Sequence, residues 1–117
     1  MKPVYFVSSA HADLKGLPDE VQSDIGFALY EAQCGGKSFH AKPLKSFRGA
    51  GVMEIIDDFD GETYRAVYTV RFKQAVYVLH VFQKKSRRGI ETSKSDMDLI
   101  KARLKTAEQD VKTRKES

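Results

Sequence analysis

Two extended runs of mostly apolar residues, 62–70 and 75–82, constrain the fold of this chain more than any other feature. Their alternation is typical of β-strands, and both faces are apolar. One face carries Tyr64, Ala66, Tyr68 and Val70, and the other carries Val67, Thr69, Tyr77, Leu79 and Val81. Strands of this kind must be covered on both sides. The chain therefore needs a sheet with helices on each face.

The flanking segments can supply those helices. A short helix is predicted over residues 10–15, and a second begins at Pro18 and ends at Gly35-Gly36. Near the C-terminus, apolar residues recur at three- and four-residue steps behind Ser95-x-x-Asp98, which resembles a capping box. These apolar residues are Met97, Ile100, Leu104, Ala107 and Val111. We expect an N-terminal helical hairpin on one side of the sheet and a C-terminal helix on the other.

The remaining strands complete a small meander. Residues 3–7 and 52–56 are predicted strands, and residues 57–61 a turn that ends in the Asp-Gly signal. Residues 37–51 are expected to be irregular, either a plain connector or a loop over a ligand. The fold class is α/β, of the α+β type, with an antiparallel meander. Residues 1–111 are predicted to form one domain, and residues 112–117 a frayed basic tail.

The positive charge of the chain is concentrated at its end. The net charge is +4 among 117 residues. Residues 1–83 hold 9 basic and 10 acidic side chains, a balance of −1, whereas residues 84–117 hold 11 and 6, a balance of +5. Such a segment favours an anionic partner such as nucleic acid, although a solvated helix face with a frayed tail remains the alternative.

Arg65 is the candidate centre of a phosphate site. It lies inside the first run, and the second run leads directly into Lys84 and Lys85. If the hairpin centres near Lys73, Arg65 opposes Val81 and shares a face with Lys85, whereas a one-residue slip would put Lys84 there instead. A cation within a strand also has a structural explanation, namely a salt bridge to Glu54 across the meander.

Other chemistries have weaker support. His11, His40 and His80 are far apart without metal-ligand spacing, and His80 is expected to be a hydrogen-bonded core histidine. The lone Cys34 is interpreted as structural, in a reducing cytoplasm. No apolar run is long enough for a membrane helix. The expectation is a cytoplasmic protein without membrane segment, metal or cofactor.

Several segments together resemble a known family. They are the helical hairpin, Gly51-Val52-Met53-Glu54-Ile55, Tyr64-Arg65-Ala66-Val67-Tyr68, and Val78-Leu79-His80-Val81-Phe82-Gln83-Lys84-Lys85-Ser86. Over residues 4–107 the chain resembles the phage-derived Gp49-like branch of the RelE/HigB toxins. The resemblance implies a compact toxin of a type II toxin–antitoxin pair that cleaves messenger RNA on the ribosome. A small helix-turn-helix, HigA-like antitoxin would neutralise it.

The resemblance also implies site residues. The family's sheet arginine falls on Arg65 and its basic pair on Lys84 and Lys85, which become the catalytic candidates. RNA-binding candidates are Arg87, Arg88, Lys45 and Arg48. Two departures stand out: positions that carry lysines in ribosome-dependent relatives are Glu54 and Ile56 here, and the tyrosine or histidine proton donor has no clear counterpart.

Three functions follow as hypotheses. The first is metal-independent RNA cleavage, in which the neighbouring 2′-hydroxyl attacks the phosphate while Arg65 clamps it and Lys84 or Lys85 stabilises charge or shares proton transfer. The second is a ParE-like toxin that blocks DNA gyrase by binding, and the third is a phage-derived binding protein without catalysis.

Overall fold

The computed structural model of the chain describes residues 1–47, 51–84 and 92–116. Within these ranges the elements are β1 (Val4–Phe6), α1 (Ala10–Lys15), α2 (Asp19–Gln33), β2 (Ala41–Pro43), a 3₁₀ turn (Lys45–Phe47), β3 (Val52–Phe59), β4 (Glu62–Thr69), β5 (Val76–Lys84) and α3 (Lys94–Glu116). The two N-terminal helices follow the bounds that the apolar spacing and Pro18 predict. None of the helices in the described ranges is long and apolar enough to cross a membrane.

The five strands form one sheet in the order β1-β5-β4-β3-β2. β3, β4 and β5 form the predicted antiparallel meander, β2 pairs antiparallel with β3, and β1 pairs parallel with β5. β2 and the 3₁₀ turn lie in the segment that the sequence predicts to be irregular, so that prediction is wrong for residues 41–43 and 45–47. Backbone pairing with β3 organises this segment despite its weak apolar pattern.

Helices cover both faces of the sheet, as the two-sided apolar strands require. On the hairpin face, α1 and α2 pack against Ile55, Ala66, Tyr68 and Val78. On the opposite face, hereafter the α3 face, α3 packs Ile100, Leu104, Ala107 and Val111 against a set of strand residues, Val52, Val67, Tyr77 and Leu79. The predicted α+β architecture is confirmed.

The β3–β4 turn is shorter than predicted. β3 continues to Phe59, and Asp60 and Gly61 alone form the connection, with φ of 53° and 78°. Positive φ at both residues is the geometry that makes Asp-Gly favourable in a two-residue hairpin. The prediction of a turn over residues 57–61 is therefore wrong for residues 57–59, which belong to β3.

A β-bulge in β5 alters the predicted strand register. Tyr68 pairs with Val78 but Val67 pairs with His80, so Leu79 is an extra residue. Arg65 consequently opposes Phe82 rather than Val81, and Val81 packs on the hairpin face. The side chains of residues 81–84 therefore lie on the opposite faces of the sheet from those predicted. Lys84 shares the face of Arg65, as the one-residue slip would have it.

α3 begins earlier than predicted. Ser93 precedes the helix, and its Oγ accepts the Asp96 backbone N–H at 3.2 Å. The serine–aspartate spacing is the predicted one, but it is provided by Ser93 and Asp96 rather than by Ser95 and Asp98. The helix continues through Glu116, across most of the segment predicted to fray. Fraying of residues 112–117 stays a prediction.

Candidate functional site

Strand register gathers polar side chains on the α3 face. Pairing across four strands aligns Lys42, Glu54, Val67 and His80 in one row. The next row holds Ile56, Arg65 and Phe82. Residues from four different strands therefore meet beside the start of α3.

An ion pair lies at the centre of this arrangement. Arg65 Nη1 donates to Glu54 Oε2 at 3.0 Å, and the two side chains are only 3% and 5% exposed. Arg65 also donates to Thr92 Oγ1 at 3.4 Å. Glu54 Oε1 lies 3.7 Å from Nζ of Lys42, whose side chain is half exposed. This is the salt bridge that the sequence left open as the structural explanation for Arg65, and it is confirmed.

The bulge brings His80 to the first turn of α3. His80 Nε2 donates to Asp96 Oδ1 at 2.8 Å, and the imidazole stacks on Phe82 with 4.4 Å between ring centroids. The prediction of a hydrogen-bonded core histidine is confirmed. Burial would raise the pKa of Asp96, but hydrogen bonds from Ser93 and His80 outweigh it and hold that pKa below its ordinary value. The contact fixes the start of α3 over β5.

Lys84 ends β5 on the same face as Arg65. It pairs with Thr63, two residues along from the Arg65–Phe82 pair. Diagonal neighbours of this kind are about 7–8 Å apart between backbones, within reach of a long side chain. Lys84 is half-buried, whereas Lys45 is exposed in the 3₁₀ turn. The predicted site residues Lys85, Arg87, Arg88 and Arg48 lie outside the described residues.

A groove opens next to the ion pair. It has a volume of about 470 Å³ and runs between the β2–3₁₀ segment and the first turn of α3. We call it the Glu54 groove; its lining residues are Lys42, Pro43, Leu44, Lys45, Ser46, Glu54, Thr92 and Met97. Two lysines and one carboxylate thus share a cavity with apolar side chains. Its size is that of a small-ligand site.

Some members of this site could not be found from sequence spacing. Thr92 and Asp96 contact strand residues 16 or more positions away, and Lys42 comes from a segment predicted to be irregular. For metal ions, the described ranges hold no group of three or more His, Cys, Asp or Glu side chains suited to bind one. The charged and polar side chains of the site are therefore lysines, a buried arginine–glutamate pair and a histidine–aspartate pair.

Comparison with known proteins supplies one match. The family described as Phage derived protein Gp49-like matches residues 12–105, which is most of the chain. A search of curated protein sequences gave no match. The matched range includes β2 to β5, the described residues of the Glu54 groove, and the first half of α3.

Proposed function

The chain belongs to the phage-derived Gp49-like family, a branch of the HigB/RelE-like toxins, and on that premise we propose that it is a metal-independent endoribonuclease that cleaves messenger RNA. The family indicates a toxin of a toxin–antitoxin system with an antitoxin partner. We also propose that cleavage takes place on the ribosome and that the protein is located in the cytoplasm, where ribosomes are found.

One structural observation supports the proposal independently of the family: several lysine and arginine side chains lie on the α3 face in or near the Glu54 groove. Lys42 and Lys45 line the Glu54 groove, Arg65 lies behind Glu54, and Lys84 shares the face of Arg65. The lysines, from two strands and a turn, offer several donors to an RNA backbone.

The chemistry requires three things of the protein. It must orient the 2′-hydroxyl towards the phosphate, stabilise the extra negative charge, and move two protons. We assign charge stabilisation to Lys84 and Lys85, and a share in proton transfer, from the 2′-hydroxyl and to the leaving 5′-oxygen, to one of them. RNA binding is assigned to Lys45, Arg48, Arg87 and Arg88.

Arg65 has a conditional role in this scheme. Its guanidinium is 3% exposed and donates to Glu54, so it contacts RNA only if a phosphate oxygen takes the place of Glu54. A guanidinium suits such an exchange because it binds carboxylate and phosphate with the same planar geometry. The catalytic role of Arg65 therefore predicts a rearrangement on RNA binding.

The proposed partner is a cognate helix-turn-helix, HigA-like antitoxin. A protein that cuts messenger RNA needs a neutraliser in the same cell. The basic α3 face would attract an acidic or amphipathic antitoxin segment. We propose that this segment covers Lys84 and Lys85.

Induction of the protein in cells tests the proposal. The nuclease function predicts growth arrest with cut transcripts while DNA supercoiling continues. Arrest with intact transcripts and halted supercoiling would instead support the ParE-like alternative, and no arrest would favour a binding protein. Arg71→Ala is the matched control, because Arg71 pairs with Glu108 on α3 in an exposed ion pair outside the groove.

A further inference from the structure

The Glu54 groove carries a feature that phosphate binding does not explain. Its lining includes the Glu54 carboxylate, whose side chain is 5% exposed, together with two lysines and three apolar side chains. An ionised carboxylate accepts hydrogen bonds and cannot donate them. It repels phosphate and selects ligand groups that carry N–H donors.

Glu54 keeps the capacity to accept such donors. Oε2 accepts from Arg65 at 3.0 Å, while Oε1 is 3.7 Å from Lys42 Nζ, beyond hydrogen-bond length. A carboxylate offers about four lone-pair sites, so the contact with Arg65 leaves others. In the RNA-free protein the ion pair also orients the carboxylate in the groove wall, before any exchange of Glu54 for phosphate at Arg65.

The rest of the groove fits a planar base. Pro43, Leu44 and Met97 supply apolar surface for the faces of a ring, and Lys42 and Lys45 supply charge for the attached phosphate. A volume of about 470 Å³ accommodates one nucleotide. Single-stranded RNA is commonly read in this way, by holding an unstacked base against side chains and bonding its edge.

We propose that the Glu54 groove is a nucleobase subsite in which Glu54 reads guanine. The Watson–Crick edge of guanine presents two adjacent donors, N1–H and the 2-amino group, which match the two oxygens of a carboxylate. Adenine and cytosine present one donor beside an acceptor there, and uracil places one donor between two acceptors. This inference rests on the proposed RNA substrate and names the base that the site selects.

Titration of the purified protein with 5′-GMP tests the subsite. The chain has three methionines, so ¹³C-methyl labelling gives few signals. Met97 lines the groove, whereas Met53 packs on the hairpin face and serves as the control. We expect 5′-GMP to shift the Met97 signal and leave Met53 unchanged. Shifts of equal size at both methyls, or none at Met97, would overturn the proposal.

Comparison of nucleotides separates base reading from phosphate binding. Inosine 5′-monophosphate differs from 5′-GMP only in lacking the 2-amino group, so its affinity should be about tenfold lower, the loss expected for one hydrogen bond to a charged acceptor. AMP should bind at least as weakly. Equal affinities for all three nucleotides would overturn the proposal, because they would mean that only the phosphate is held.

Glu54→Gln gives a second test. If the variant folds, its preference for 5′-GMP over inosine monophosphate should fall to about twofold or less, because an amide has only one acceptor oxygen. A preference that survives in the folded variant contradicts the assignment, and the wild-type comparison stands if the variant does not fold. RNA cleavage is measured separately. Selective 5′-GMP binding without RNA cleavage supports the guanine subsite and refutes the nuclease function. RNA cleavage without selectivity for guanine supports the nuclease function and refutes the subsite.

Discussion

The buried ion pair makes a quantitative prediction about Arg65→Ala. Removing one partner of a buried pair costs about 3–5 kcal/mol, because the other charge stays buried. Arg65 and Glu54 are 3% and 5% exposed, which places them in that class. Glu54 would retain Lys42 at 3.7 Å, so we expect the lower end, about 3 kcal/mol in the free energy of unfolding. With a urea dependence of about 1.5 kcal/mol per molar, the unfolding midpoint should fall by about 2 M.

Urea unfolding followed by circular dichroism measures this change. Arg71→Ala is the matched control, since Arg71 and Glu108 form an arginine–glutamate pair at 2.6 Å whose side chains are 48% and 38% exposed. An exposed pair contributes about 0–1 kcal/mol, so its midpoint should fall by less than about 0.7 M. Equal losses in the two variants would refute the argument from burial. The activity of folded Arg65→Ala then separates the two roles: full specific activity means that Arg65 is only structural.

Three further predictions concern charge and pH. Neutralising four cations at and after the end of β5 in the sequence should abolish toxicity without unfolding the domain; they are Lys84, Lys85, Arg87 and Arg88. A folded variant that still arrests growth at the parental dose would show that these cations are not part of the site. Co-expressed antitoxin should protect Lys84 and Lys85 from lysine-modifying reagents and bind more weakly as salt rises; unchanged labelling in the purified complex would place inhibition on another surface. Asp57→Asn should raise the urea midpoint at pH 7 but have little effect at pH 4. Burial, with a hydrogen bond and like charge from Asp24, raises the pKa of Asp57 to about 6, so ionisation destabilises the folded state as the pH rises from about 4 to about 6. An equal gain at both pH values would contradict that origin.

The helices could be predicted because the apolar residues of α2 and α3 recur on one face of each helix. Pro18 marks the start of α2, and Asp60-Gly61 marks the hairpin turn because few other residue pairs favour positive φ at both positions. Register in β5 could not be predicted in the same way. Because both faces of this strand are apolar, a one-residue shift leaves the pattern nearly unchanged, and nothing local marks Leu79 as the bulge.

The candidate site was predictable only in its strand residues. Arg65 and its possible partner Glu54 were evident because a cation within an apolar strand needs a counter-charge. The Glu54 groove was not evident, because Lys42 and Thr92 are 50 positions apart in the sequence and meet only when β2 pairs with β3 and α3 crosses the sheet. The position of Lys84 on the face of Arg65 depends on the bulge, which nothing local in the sequence marks.

RNA cleavage by the purified protein is the most direct test of the central claim. The protein should be incubated with ribosomes stalled on a defined messenger RNA, and the ends of the fragments should be identified. Attack by a 2′-hydroxyl predicts fragments with 5′-hydroxyl and 2′,3′-cyclic phosphate ends. Intact messenger RNA, or fragments with 5′-phosphate ends, would contradict the account.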